Sequence, residues 1–89
     1  MIGIDVARIK RWFVKNKPEY SGPGYKVVVT EISQTDIDED HNLDGEDFTF
    51  ECVSYDLSDL TSPAITVTGV YNRMHYGGWN AHETTNSPT

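Results

Sequence analysis

The sequence has very little cysteine: Cys52 is the only one in 89 residues. A single cysteine excludes an intrachain disulfide and a cysteine-based zinc site, and this usage is typical of a reducing compartment. Long hydrophobic runs are also missing, because no apolar stretch approaches the roughly 18–20 residues of a membrane span. Near the start, Arg8, Lys10 and Arg11 follow the apolar residues, which is the wrong order for a secretion signal. We therefore expect a cytoplasmic protein, in the host cell if a phage encodes it, with no membrane partner.

Motifs for catalysis are missing as well. The sequence has neither a Gly-x-Ser-x-Gly nucleophile elbow nor a phosphate-binding glycine loop. Its three histidines, His41, His75 and His82, lack the spacing of metal ligands on one helix face. Cys52 has acidic and apolar neighbours, which raise the pKa of a thiol, whereas a nucleophile needs a lowered one. We expect Cys52 to be a buried packing residue, and we expect neither an enzyme nor a bound cofactor.

Basic residues are scarce after Lys26, where only Arg73 remains. Residues 1–26 carry a net charge of +4, residues 31–59 carry −11, and residues 60–89 are balanced, which gives −7 for the chain. The segment 31–59 contains no lysine or arginine, and its eleven carboxylates are Glu31, Asp36, Asp38, Glu39, Asp40, Asp44, Glu46, Asp47, Glu51, Asp56 and Asp59. Charge of this sign disfavours direct contact with nucleic acid and favours the basic surface of another protein.

The spacing of apolar residues predicts an amphipathic helix over residues 5–17. Val6, Ile9 and Phe13 recur at helical spacing, and basic residues lie on the opposite face. Asp5 is suited to cap the first turn, and Pro18 is expected to end the helix.

Three strands are expected after the helix, near residues 25–32, 48–57 and 64–74, with Gly69 as a candidate β-bulge. The middle segment also fits a helical period, but its aromatic content favours a strand. The fold class is therefore α+β, with one N-terminal amphipathic helix packed on a three-stranded antiparallel β-meander. Residues 1–75 would form a single small domain, residues 33–47 a long connection, and residues 76–89 a loose polar C-terminal tail.

One part of the acidic segment matches the pattern of an EF-hand calcium loop, over residues 40–51. Asp40, Asn42 and Asp44 would supply side-chain oxygens, Glu46 a backbone carbonyl, and Glu51 a bidentate carboxylate. The pattern departs at its eighth and ninth positions, which are Asp47 and Phe48, and the chain contains no second loop.

These patterns favour a small acidic, non-catalytic protein-binding module. Such a module would be an inhibitor or phage-type antagonist that occupies a basic, nucleic-acid-binding surface of its partner. The expected contact residues are Asp36, Asp38, Glu39, Asp40, Asp44, Glu46, Asp47, Tyr71, Tyr76 and Trp79. Two alternatives stay open: a calcium-binding protein that uses loop 40–51, and an assembly subunit of a virion or similar complex that forms homo-oligomers through a strand edge.

Overall fold

An N-terminal helix and an antiparallel sheet build the fold in the computed structural model, which describes residues 3–35 and 45–84. The elements are α1 (Gly3–Asn16), a short 3₁₀ turn (Pro18–Tyr20), β1 (Tyr25–Thr35), β2 (Gly45–Asp56), β3 (Ile65–Met74) and β4 (Trp79–Glu83). The four strands pair in chain order as a meander. Within the described ranges, no helix is both long enough and apolar enough to cross a bilayer.

The predicted helix is present, two residues earlier at its start and one residue earlier at its end. Ile9 and Phe13 are fully buried on its inner face, as their spacing indicated. The helix ends at Asn16, and Pro18 begins the 3₁₀ turn that follows. The expected role of Asp5 was wrong. It lies inside the helix with 2% exposure, and its carboxylate bonds to side chains of the sheet rather than to the first turn.

The predicted α+β class is confirmed, but the sheet has four strands and not three. Residues 79–83, which were assigned to the polar tail, form β4 and pair with β3. A tight turn over residues 75–78 connects the two strands, and Gly77 adopts a φ of 103°, which favours glycine. β4 was missed because it is five residues long and mostly polar, so its strand conformation depends on pairing with β3.

The irregularity in the sheet lies in β1 and not at Gly69. The register between β1 and β2 shifts between Val29 and Glu31, which is the mark of a bulge at Thr30. The register between β2 and β3 runs through Gly69 without a break. A Cβ at Gly69 would lie 2.4 Å from the carbonyl oxygen of His82 and 2.7 Å from the Phe50 ring. Glycine is needed there because backbone and ring approach so closely.

The two faces of the sheet have different roles. One face packs under α1, and its core residues include Phe48, Phe50, Cys52 and Val67. The alternate residues of the same strands lie on the opposite face, where Thr49 and Thr66 are exposed and Asp47 and Val53 are buried. The middle segment is therefore a strand with period-two alternation, and the helical alternative for it was wrong.

Candidate binding surface at one end of the sheet

The meander topology brings the end of β1, the start of β2 and the β3–β4 turn to the same end of the sheet. Thr35 pairs with Asp47 and Gly45 pairs with Met74, so the two residues that flank the β1–β2 connection lie near the β3–β4 turn. We call this the acidic end: the start of β2 (45–47), the end of β3 (73–74), the turn 75–78 and Trp79. Residues 36–44, which connect β1 to β2, lie outside the described residues.

A buried carboxylate joins the helix to the sheet at the acidic end. Asp5 accepts a hydrogen bond from the hydroxyl of Tyr71 at 2.5 Å and pairs with Nη1 of Arg73 at 3.0 Å. Nε of Arg73 also donates to Glu46 at 3.3 Å, and its guanidinium lies 5.1 Å from the centre of the Phe48 ring. A carboxylate removed from water needs such partners, because an unpaired buried charge is strongly destabilising.

Arg8 connects the helix to the β3–β4 turn. Its Nη1 donates to the Tyr71 hydroxyl at 3.0 Å, and its Nη2 donates to the carbonyl oxygen of Gly77 at 3.5 Å. The guanidinium lies 5.8 Å from the centre of the Trp79 ring, within cation–π range. Burial, and then the hydrogen bond to Asp5, raise the pKa of Tyr71, so its hydroxyl stays protonated as a donor. These contacts hold the turn against the first half of the helix.

The predicted contact residues at this end have different environments. Glu46 is paired with Arg73, and Asp47 is 5% exposed and accepts a hydrogen bond from Asn72. Tyr71 is fully buried, so in this conformation its ring packs in the core and does not reach a partner. Trp79 is partly buried and also packs against the core.

Tyr76 is the predicted aromatic residue that the structure leaves exposed. It lies in the β3–β4 turn with 79% of its surface exposed. The other predicted contact residues lie outside the described residues, between Thr35 and Gly45 in the sequence. These are Asp36, Asp38, Glu39, Asp40 and Asp44.

The candidate calcium ligands fall partly outside the described residues, since Asp40, Asn42 and Asp44 lie there. Glu46 and Glu51 lie in β2, where an EF-hand would have the end of its loop and the start of a helix. Their side chains point to opposite faces of the sheet, because their positions along β2 differ by five, which is an odd number. Over residues 3–35 and 45–84, no three His, Cys, Asp or Glu side chains form a group that could hold a metal ion.

Cys52 occupies the core, as expected. It is fully buried beneath the helix, and burial raises the pKa of its thiol to about 12. The thiol is therefore protonated at neutral pH, and this geometry suits packing rather than nucleophilic attack.

Sequence reasoning missed the network of Asp5, Arg8 and Arg73. A signal for Asp5 was present, because it precedes Ile9 by four residues and Phe13 by eight, on the same helix face. A carboxylate in line with core residues predicts a buried partner. Arg73, the one basic residue after Lys26, was the natural candidate for that partner.

No protein family, no curated protein and no solved structure matches this chain. The interpretation of the acidic end therefore rests on its own residues.

Proposed function

We propose that this protein is a non-catalytic module that binds a basic surface of another protein through its acidic end. One observation carries the proposal. The exposed Tyr76 lies at the end of the sheet where Thr35 and Gly45 flank a segment with five carboxylates in nine residues. Tyr76 and this segment are far apart in the sequence.

The chemistry of such an end suits a lysine- and arginine-rich groove. Carboxylates steer a basic partner by Coulomb attraction, which raises the association rate. An exposed tyrosine supplies a large, rigid contact area at small entropic cost, and tyrosines are enriched among residues that dominate binding energy. The Arg8 contacts hold the turn that carries Tyr76, so the turn is already ordered before binding and loses little conformational entropy when a partner binds.

The partner class that fits this chemistry is a protein whose basic groove normally binds nucleic acid. A row of carboxylates competes for the lysine and arginine side chains that otherwise contact phosphates. In this form the protein is a cytoplasmic inhibitor, of the kind a phage uses against its host.

The experiment is capture of binding proteins from the native host by the immobilised protein, followed by measurement of association rates with the purified partner. The variant Asp38→Lys/Asp40→Lys should slow association strongly. Its matched control is Glu19→Lys/Asp59→Lys, which changes the net charge equally at exposed positions away from the acidic end. Association should also slow as salt rises, because the Debye length falls from about 10 Å at 0.1 M to about 3 Å at 1 M.

Tyr76 is tested in the same assay. Tyr76→Ala should raise the dissociation rate, whereas Leu60→Ala, which removes a 55% exposed side chain from the β2–β3 connection, should not. Association that is indifferent to salt and to the double charge reversal would refute the proposal. Equal effects of the two double variants would show a response to net charge and not to the acidic end.

A second candidate function has one observation in its favour. β1 is an eleven-residue strand at the edge of the sheet, and an edge strand presents unpaired backbone groups to another chain. An assembly subunit would use this edge to form homo-oligomers. The mass of the protein in solution, measured over a range of concentrations, separates this function from the first.

A further inference from the structure

A groove runs between the helix and β4 on the inner side of the sheet. Two adjoining depressions share Trp12, Asn16 and Ala81, so they form one continuous groove. Contacts mark its two ends. Arg8 lies over the Trp79 ring at one end, and Lys17 pairs with Glu83 at 3.1 Å at the other.

One edge of β4 borders this groove, and among the described residues no strand pairs with it. Thr84 N–H donates to Thr68 at 2.9 Å and Met74 N–H donates to Gly78 at 2.8 Å, so these residues form hydrogen-bonded pairs. Such pairs alternate along an antiparallel ladder, so residues 80 and 82 direct their backbone groups toward β3. The backbone groups of residues 79, 81 and 83 point to the outer edge, where no further strand pairs within the described part of the chain.

The groove is basic and aromatic. Arg11 and Lys15 line it with exposed side chains, and neither forms an ion pair among the described residues. Trp12 and Trp79 contribute partly buried rings from opposite sides. As far as residues 3–35 and 45–84 show, the groove therefore has two cations outside any ion pair, two aromatic surfaces and a row of backbone donors and acceptors without a strand partner.

We propose that this groove binds an extended acidic segment of a partner protein, which adds to β4 as a fifth strand. Free backbone groups at alternate residues are the feature that recognises an added strand, and pockets for alternate side chains give the selectivity. Carboxylates of the segment would pair with Arg11 and Lys15, and apolar residues would contact the two tryptophans. The groove shares Trp79 with the acidic end, but Arg11, Lys15 and the outer edge of β4 lie outside that end, so the inference does not depend on the function proposed for it.

Two other occupants fit less well. A second copy paired through β4 would bring the Arg11 and Lys15 side chains of two protomers toward each other, and like charges repel. Single-stranded nucleic acid would use the cations and stack on the tryptophans, but it would leave the outer backbone groups of β4 unpaired.

The direct test uses a synthetic peptide in which pairs of glutamates alternate with pairs of valines, so that each face of the strand carries both, and a control peptide in which lysine replaces each glutamate. Tryptophan fluorescence and backbone amide shifts at residues 79, 81 and 83 report on binding. The glutamate peptide should bind and the lysine peptide should not. Methylation of alternate backbone nitrogens in the glutamate peptide should abolish binding, because it removes strand pairing and leaves the charges intact.

Two variants of the protein complete the test. Ala81→Pro removes an outward N–H from an edge strand, where proline is tolerated, and should abolish binding of the glutamate peptide. Arg11→Glu/Lys15→Glu should weaken that binding at least about tenfold through like-charge repulsion. The control variant Lys10→Glu/Lys26→Glu has the same net charge but changes exposed lysines outside the groove, so its affinity should fall much less.

Each contrary result refutes the proposal. Equal binding of the methylated peptide would show that β4 pairing is not used, even if Ala81→Pro failed to fold. Equal binding of the lysine peptide would remove the role of the cations. An oligothymidine strand that binds while the glutamate peptide does not would assign the groove to nucleic acid. Self-association that Ala81→Pro abolishes, without peptide binding, would assign it to a second copy.

Discussion

The helix and the 3₁₀ turn that follows it are attached to the sheet by a buried carboxylate at the acidic end and by a buried hydroxyl at the other, where the Lys17–Glu83 ion pair is partly exposed. At the acidic end, Asp5 of the helix bonds to Tyr71 and Arg73 of β3. At the opposite end, the hydroxyl of the buried Ser54 donates to the carbonyl oxygen of Tyr20 at 2.5 Å. Edge-to-face packing of Tyr20 on Tyr25, with ring centres 5.9 Å apart, completes that neutral contact.

The two kinds of contact differ in what their loss does to the fold. A buried carboxylate without its partners is strongly destabilising, so we expect the charged end to disfavour other arrangements of helix and sheet. A hydroxyl-to-carbonyl bond costs little desolvation and allows more variation. The charged end is also where the proposed binding surface lies, and a fixed arrangement there holds Tyr76 in its exposed position.

The largest effect should come from breaking the charged end. Asp5→Ala leaves Arg73 and the Tyr71 hydroxyl without their shared partner, and we expect a loss of about 3 kcal/mol in the free energy of unfolding. Urea denaturation measures it, with Ser54→Ala as the comparison at the neutral end. If Asp5→Ala cost no more than Ser54→Ala, the two ends would be equivalent and the argument from charge would be wrong.

A substitution in the core between the two ends should lower the free energy of unfolding by a smaller amount. Cys52→Ala removes a fully buried sulfur beneath the helix and should lower the free energy of unfolding by about 1–2 kcal/mol. A thiol reagent should react with native Cys52 only as fast as the protein opens. Rapid labelling of the native protein would contradict the packing role.

Cys52 also predicts how stability depends on pH. The unfolded thiol ionises near its ordinary pKa of 9.0, whereas the folded thiol keeps its proton until a pKa of about 12. Stability from this group is therefore complete below pH 9.0 and is lost as the pH rises toward 12. The raised pKa of Tyr71 acts in the same direction. Urea midpoints across this range should fall less steeply in Cys52→Ala than in the parent, and equal slopes would exclude a contribution from Cys52.

A substitution at the neutral end should cause a smaller loss in the free energy of unfolding. Ser54→Ala leaves the Tyr20 carbonyl without its partner and should cost about 1 kcal/mol, measured by the same denaturation. Ser54→Thr keeps the hydroxyl but adds a methyl group where the parent side chain is fully buried. The threonine variant therefore tests whether the site has room for an extra methyl group, and the alanine variant tests the hydrogen bond to the Tyr20 carbonyl. A loss from Ser54→Ala as large as that from Asp5→Ala would remove the distinction between the ends.

Periodicity made most of this fold predictable, and it failed where other contacts decide the structure. The spacing of Ile9 and Phe13 located the helix, and β-branched residues located β1. β4 has too few apolar residues for a pattern, so its pairing with β3 could not be read from the sequence. The role of Asp5 depended on Arg73, which lies 68 residues away in the chain.

The candidate surface was predictable in composition but not in arrangement. The sequence identified the acidic segment and the aromatic residues, but only the meander brings Tyr76 to the end of the sheet where Thr35 and Gly45 lie. The burial of Asp47 had no signal, because this residue lies in the predicted connection 33–47, before the predicted strand. Tyr71 alternates with Ile65 and Val67 on one face of β3, a pattern that indicates the core position which the structure shows.

The smallest effect on stability should come from Tyr76→Ala. Its size distinguishes a residue of the proposed contact surface from a residue that supports the network beneath that surface. The side chain of Tyr76 is 79% exposed, so Tyr76→Ala should change the free energy of unfolding by no more than about 0.5 kcal/mol. Leu60→Ala, at a 55% exposed position in the β2–β3 connection, should behave in the same way. Denaturation of both variants beside Asp5→Ala checks this order of effects. A loss from Tyr76→Ala near that of Asp5→Ala would mean that the tyrosine supports the turn, and its exposed ring would no longer argue for a binding surface.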